Sequence, residues 1–144
     1  MNRLVIFKKV QISFLSLVLL AIFAGGCLKK ERDTLIENTW VVFEIYKHTD
    51  SSDFLDFDFP TLSFIGKDKY VFQTCSYSLM ARVEIGKNNK IHFESPMSYP
   101  RSSLTNSCIT LLTDNINHYE IDGDELLLTG EKGDKIKLLK KYFK

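Results

Sequence analysis

The chain has 144 residues, of which 44% are hydrophobic and 26% charged, with 7 glycines and 3 prolines. This composition excludes a collagen-like, low-complexity or wholly disordered chain, and the length fits one domain. The first 26 residues carry three basic groups and no acid, so 16 basic and 18 acidic groups remain after them, a formal net charge of −2. A nearly neutral remainder lacks the basic field of a nucleic-acid binder, and no nucleic-acid partner is expected.

Residues 1–26 have the layout of a secretory signal peptide. Arg3, Lys8 and Lys9 form a positive start, and the mainly apolar run Ile12–Phe23 follows. Small residues then mark a cleavage site. The alternative is a transmembrane anchor, but a span needs about 20 apolar residues and this run is shorter.

The sequence Ala24-Gly25-Gly26-Cys27 resembles the lipobox of bacterial lipoproteins. The resemblance implies that the Cys27 thiol takes a diacylglycerol, that the signal is cut before it, and that the new amino group is acylated, for example by palmitate. Stable anchoring needs at least two acyl chains, which this modification supplies. Leu28, in place of an inner-membrane retention Asp, favours the outer membrane of the cell envelope. The alternative is an ordinary cleaved signal with a free thiol at Cys27.

The segment after the cysteine is mostly charged. Leu28–Asp33 shows no periodicity, so we expect a short solvated tether. Asp33-Thr34-Leu35 resembles a Bacteroidetes O-glycosylation acceptor, a three-residue match that also arises by chance. The expected domains are a lipoprotein signal peptide at 1–26, a lipidated cysteine and tether at 27–34, and a β domain at 35–144.

Alternation of apolar and polar residues dominates the remaining chain and predicts about eight short strands separated by turns. This pattern is typical of a small antiparallel barrel or sandwich. The strands are expected at Trp40–Lys47, Thr61–Ile65, Lys69–Thr74, Leu79–Ile85, Lys90–Glu94, His118–Ile121, Glu125–Thr129 and Lys135–Lys140.

Side-chain alternation also predicts which residues face inward. In the first strand, Val41, Phe43 and Ile45 are expected on one face. Later strands should direct five residues into the core. These are Val83, Ile85, Phe93, Ile121 and Leu128.

One short helix is expected near residues 108–116. Ile109, Leu112 and Ile116 recur at helical spacing, and Thr105-Asn106-Ser107 just before them supplies N-cap residues. This helix would interrupt an otherwise all-β pattern.

Cys75 and Cys108 remain once Cys27 is assigned to the lipid. An oxidising compartment would allow them to form a disulfide. The alternative is two buried free thiols, since spacing alone does not establish the Cα separation that a bridge requires.

The loop Asp50–Pro60 places aromatic residues between acids. Phe54, Phe57 and Phe59 could form a lip for an apolar ligand or a partner protein, because exposed aromatic residues mark such surfaces. The alternative is an acidic loop whose aromatic rings cover the open end of the fold.

Catalytic motifs are absent from the sequence: it has no Gly-x-Ser-x-Gly, phosphate-binding glycine loop or His-Glu-x-x-His. His48, His92 and His118 are not at metal-ligand spacing and are expected to be solvated. We therefore predict no enzyme activity, no cofactor and no metal site.

The order of several short motifs resembles the META domain (HslJ-like) family. The quoted elements are Thr39-Trp40, Leu62-Ser63-Phe64, Cys75, Thr105-Asn106-Ser107-Cys108, Tyr119-Glu120-Ile121-Asp122-Gly123 and Leu126-Leu127-Leu128. Thr74 and Ser76 replace the glycine and asparagine that usually flank the first cysteine. The resemblance implies a non-catalytic stress or envelope role, in contact with an unknown envelope protein. The alternative is a lipocalin-like carrier of a small apolar ligand, which would need a void of roughly 300 Å³ among the inward residues.

Overall fold

The computed structural model describes residues 29–47, 50–52, 59–76, 78–98 and 103–142. The expected signal peptide therefore lies outside the described residues. The elements are α1 over residues 29–37, β1 Thr39–Lys47, β2 Asp50–Ser52, β3 Thr61–Ile65, β4 Lys69–Gln73, β5 Ser78–Ile85, β6 Ile91–Phe93, α2 Ser103–Asp114, β7 Ile116–Asp122, β8 Glu125–Gly130 and β9 Lys135–Lys140.

The strands form one antiparallel sheet that nearly closes into a barrel. Its order is β6-β5-β4-β3-β1-β9-β8-β7, with β2 paired to β1. The two ends of this order meet at a bridge between Lys90 and His118, beside which the Tyr119 N–H donates to the Asn89 carbonyl oxygen at 2.9 Å. The predicted mostly β, antiparallel barrel-like fold with a short helix is confirmed.

The first strand contains a β-bulge that the alternation pattern did not predict. The register of β1 against β9 shifts between Val42 and Glu44. Trp40, Val42 and Ile45 are buried, whereas Phe43 is 50% exposed. A bulge inserts one extra residue and so moves the following side chains to the opposite face. The prediction that Phe43 shares the inward face of Ile45 is therefore wrong.

The five residues predicted to face inward do so. Val83, Phe93 and Leu128 are buried in one hydrophobic core, while Ile85 and Ile121 are partly buried and pack against it. The alternation in these strands is not interrupted by a bulge between the residues concerned, so the simple period of two applies.

Helix α2 starts earlier and ends earlier than predicted. It begins at Ser103, so Thr105–Ser107 lie inside the helix and are not its N-cap. It ends at Asp114, and Ile116 is already the first residue of β7. The apolar face is confirmed, since four of its residues are buried: Cys108, Ile109, Leu111 and Leu112. This face packs against β6 and β7.

The backbone at Asn115, just after α2, lies in close contact with the backbone at Gly130 in β8. A Cβ atom at Gly130 would lie 2.4 Å from the carbonyl oxygen of Asn115. Gly130 also pairs with Ile116, so the chain leaves the helix and enters β7 directly beside β8. Only a residue without a side chain fits this approach.

Residues 29–37 form α1 in place of the irregular tether expected over Leu28–Asp33. Leu35 is fully buried, and the indole Nε1–H of Trp40 donates to the Leu35 carbonyl oxygen at 3.1 Å. The helix is thus fixed to the core. Periodicity did not reveal it because only two of these nine residues are apolar.

Candidate functional site

A polar cleft lies where α1 meets the turn between β5 and β6. Its volume is about 330 Å³. The lining residues come from α1, from the end of β5 with its turn, and from β7. They are Arg32, Ile85, Gly86, Lys87, Asn88, Asn89 and Tyr119. We call this space the α1 cleft.

The β5–β6 turn has a backbone that few residue types tolerate. Asn88 and Asn89 both have positive φ, 55° and 57°. The Lys90 N–H donates to the Lys87 carbonyl oxygen at 3.3 Å, which closes a four-residue turn. Positive φ at both central positions is the requirement of a type I′ hairpin turn, and asparagine adopts it readily. The turn therefore holds Lys87 and Asn88 in place beside α1.

Asn89 connects three parts of the fold. Its side-chain Nδ2 donates to Glu31 Oε2 of α1 at 2.7 Å. Its carbonyl oxygen accepts the Tyr119 N–H of β7. One residue therefore fixes the turn to the helix and to the neighbouring strand, and it sets the wall of the α1 cleft.

Arg32 lines this cleft and also carries an unsatisfied buried donor. Its Nε atom is buried and has no hydrogen-bond partner among the described residues. A buried donor without a partner costs about 1–3 kcal/mol, so such groups call for an explanation. The Arg32 charge also acts on Tyr119, whose pKa is raised mainly by burial and then by Glu31, with Arg32 opposing both.

The charge of the α1 cleft differs from that of two further clefts among the described residues. Arg32 and Lys87 line it, and none of its seven lining residues is acidic. A second cleft of about 250 Å³ contains Asp114 and Glu131. A third, of about 350 Å³, contains Glu84. The α1 cleft is therefore the cationic one among these three.

The predicted interaction loop is described only in part. Phe54 and Phe57 lie outside the described residues, and Phe59 is 52% exposed. The start of the loop, Asp50–Ser52, forms β2 and pairs with β1. The structure does not bring Phe59 to the α1 cleft lining.

The two cysteines of the β domain are not bonded to each other in the structure, so the expected bridge is not seen. Cys108 is fully buried on α2, whereas Cys75 follows β4 and is exposed, with its Sγ 3.4 Å from the Ser76 Oγ. Burial raises the pKa of Cys108 to about 12, against the opposing charge of Lys47. A disulfide between Cys75 and Cys108 stays a prediction, which thiol titration of the purified chain tests.

The two described histidines, His92 and His118, lie at the surface. His92 is exposed, and His118 is half-buried with its Nε2 3.6 Å from Glu120 Oε1. His48 lies outside the described residues. Among the residues that the structure describes, no three or more His, Cys, Asp or Glu side chains are grouped to hold a metal ion.

Cys27 and the apolar run before it also lie outside the described residues. In the part of the chain that is described, every helix is too short or too polar to cross a membrane. Thr34, the residue of the glycosylation-like motif, lies within α1 and donates its hydroxyl to the Lys30 carbonyl oxygen at 2.8 Å.

Sequence reasoning missed the α1 cleft. It left only a turn between the predicted strands Leu79–Ile85 and Lys90–Glu94, with no function attached, and it assigned Arg32 to a solvated tether. The Asn88-Asn89 pair was the available signal, since it indicates a tight hairpin turn with fixed geometry. The position of α1 against that turn depends on contacts between distant residues, such as Glu31 with Asn89.

No family model matches the chain, and no curated protein matches it. Two solved structures have a similar fold. One is the crystal structure of a DUF4847 family protein from Bacteroides vulgatus, with 14% identity and a TM-score of 0.60 over 78% of this chain and 99% of the other. The second is the NMR structure of a protein from Burkholderia xenovorans, with 12% identity and a TM-score of 0.58 over 78% of this chain and 87% of the other. At such low identity, these similarities establish a shared fold and nothing more.

Proposed function

We propose that this protein is a lipid-anchored envelope protein whose β domain acts through its surface as a non-catalytic interaction module. The observation that carries the proposal is the Ala24-Gly25-Gly26-Cys27 sequence after an apolar run. A folded domain begins within a few residues of it, since α1 is helical from residue 29. The META-like stress or envelope role and the outer-membrane location belong to the same proposal.

The packing of the interior supports a surface role over a carrier role. A carrier needs a void lined by the inward residues. Val83, Phe93 and Leu128 instead belong to one buried cluster. Phe93 makes an edge-to-face contact with Tyr70 at 5.1 Å between ring centroids. Of the five inward residues, Ile85 alone lines any of the three clefts described above, and the other residues that line its cleft are mostly polar.

The state of the buried titratable groups supports a non-catalytic role. Burial is the main cause that raises the pKa of both Cys108 and Tyr70 to about 12. The Tyr70 hydroxyl is also committed to the Glu94 carbonyl oxygen at 2.9 Å. Both groups stay protonated at neutral pH, whereas a thiol nucleophile requires a lowered pKa.

The test is membrane fractionation of cells that express the Cys27→Ser variant, with Cys75→Ser as the matched control. We expect wild type and Cys75→Ser in the membrane fraction, with an acylated N-terminal cysteine by mass spectrometry. Cys27→Ser should leave the membrane fraction or accumulate as uncut precursor. A Cys27→Ser protein that is cleaved and still membrane-bound would refute the anchoring.

A further inference from the structure

We propose that the α1 cleft binds a phosphate group. The chemistry is that of an anion held by a guanidinium, an ammonium and an amide. The source could be a phospholipid headgroup or a soluble phosphate, and the experiment below separates them. Only the headgroup source depends on the proposed lipid anchor at Cys27.

The donors of the cleft match an oxyanion. Arg32 presents a planar guanidinium whose Nε is buried without a partner among the described residues. Guanidinium groups bind phosphate through paired, charge-assisted hydrogen bonds. Nε itself is enclosed by protein, so a phosphate would be held by the terminal Nη groups of Arg32, which are not among the buried unpartnered atoms.

Lys87 and Asn88 supply the ammonium and the amide donors, from the β5–β6 turn and not from α1. Both line the cleft, and both belong to the turn whose geometry Asn89 fixes through its bonds to Glu31 and Tyr119. The backbone that carries both residues is therefore fixed before a ligand arrives, which reduces the entropy lost on binding.

The surrounding charge favours an anion over a cation or a neutral ligand. Two cationic side chains and no acid line the cleft, while the Glu31 carboxylate, bonded to Asn89 outside that lining, offsets part of the positive charge. The two other clefts each contain acidic residues, so cationic lining is not a general property of this surface. A volume of about 330 Å³ also accommodates a phosphate with part of its substituent.

Chain geometry places this cleft at the depth of lipid headgroups if Cys27 is lipidated. Residue 29 is two positions after Cys27, a span of at most about 7 Å. Arg32 lies three residues further along α1, which is about 4.5 Å of helix. The headgroup layer on each side of a bilayer is about 5–8 Å thick. The two spans add up to at most about 12 Å, so Arg32 would lie within or just outside this layer, where its side chain can extend toward phosphodiester groups.

The experiment uses the full-length protein as recovered from cells, in maltoside micelles, which contain no phosphate. In one arm inorganic phosphate is titrated, and in the other phosphatidylglycerol is mixed into the micelles. Binding is followed by the amide NMR signals of Asn88 and Asn89. We expect saturable shifts in at least one arm. Shifts with inorganic phosphate alone identify a soluble source, and shifts with phosphatidylglycerol alone identify a headgroup source.

Three variants test the assignment of the residues. Arg32→Gln and Lys87→Gln should each weaken binding at least fivefold, because each removes one cationic donor. Lys132→Gln, which removes a lysine from the cleft that holds Asp114 and Glu131, should change it less than twofold. Lys87 is exposed, so its variant remains informative even if Arg32→Gln fails to fold.

Three results would overturn the proposal: no saturable shift in either arm, unchanged binding in Lys87→Gln, or equal weakening in Lys132→Gln. The lipid anchor is tested separately by mass spectrometry of Cys27. An acylated protein that binds no phosphate contradicts the anion site alone. A protein without acylation that binds inorganic phosphate keeps the anion site and loses the headgroup source.

Discussion

The two sides of the barrel are built differently. On one side, β1, β9 and β8 pair over long registers, with six pairs between β1 and β9 and five between β8 and β9. On the other side, β6 has only three residues and meets β7 at the Lys90–His118 bridge. The long ladders bury a continuous apolar face. We call the β6–β7 side the seam.

The seam shows what replaces strand pairing when the strands are too short. Unpaired backbone groups at a sheet edge need other partners. Here the Asn89 carbonyl accepts the Tyr119 N–H, and the Asn89 side chain reaches Glu31 on α1. Polar side chains and a helix therefore hold this side together, and the α1 cleft lies there.

The largest loss of stability is expected from a substitution on the side of the barrel formed by β1, β9 and β8. Ile136 in β9 is fully buried, whereas Ile85 at the seam is only partly buried. Ile136→Ala should lower the free energy of unfolding by about 2–5 kcal/mol, because it leaves a cavity in a packed core. Ile85→Ala, the same change at the seam, should lower it by less than half as much. Denaturant unfolding measures both, and equal losses would contradict the difference between the two sides.

A smaller loss of stability is expected at alkaline pH, because the buried groups Cys108 and Tyr70 have raised pKa values in the folded chain. The pKa of Cys108 is about 12 in the folded chain against 9.0 for an unperturbed thiol. The unfolded chain thus loses this proton first, so stability is complete below pH 9 and falls as pH rises from 9 to 12. By pH 10 the loss from Cys108 should be about 1 kcal/mol. Tyr70 adds to it from about pH 10 upward.

Urea titrations between pH 8 and 10 measure this loss. Cys108→Ala should flatten the pH dependence over that interval, because it removes the thiol that ionises in the unfolded state. Cys75→Ala, which alters an exposed thiol, should keep the wild-type slope. A wild-type slope in Cys108→Ala would show that another group controls alkaline stability.

The smallest loss of stability is expected from a substitution at the seam, at Asn89. Asn89→Gly keeps a residue that accepts positive φ but removes the hydrogen bond to Glu31. The free energy of unfolding should fall by about 0.5–1.5 kcal/mol, and the Tyr119 amide should exchange its hydrogen faster.

Asn88→Gly is the matched control, since Asn88 has the same backbone conformation and is exposed. It should leave the Tyr119 amide protected, as in wild type. Equal exchange rates of the Tyr119 amide in the two variants would show that the turn backbone, and not the Asn89–Glu31 hydrogen bond, protects this amide.

Local pattern predicted most of the strands because each strand has one buried and one solvated face. The hairpin of Thr61–Ile65 with Lys69–Gln73 follows the predicted boundaries within one residue. The pattern was wrong around Phe43, because a bulge changes the phase of alternation without changing composition. It also misplaced the start of α2, since several residues before Cys108 are as polar as a loop.

Sequence alone was enough to predict the β class and the five inward residues of the later strands, because these depend on neighbours along the chain; the signal-like N-terminus stays a prediction. Three features depend on the tertiary structure: the helix at residues 29–37, the different environments of Cys75 and Cys108, and the cleft that Arg32 shares with Lys87. The physical reason is that these features depend on contacts across the chain. Glu31 and Asn89 are 58 residues apart, and no local periodicity records that they meet.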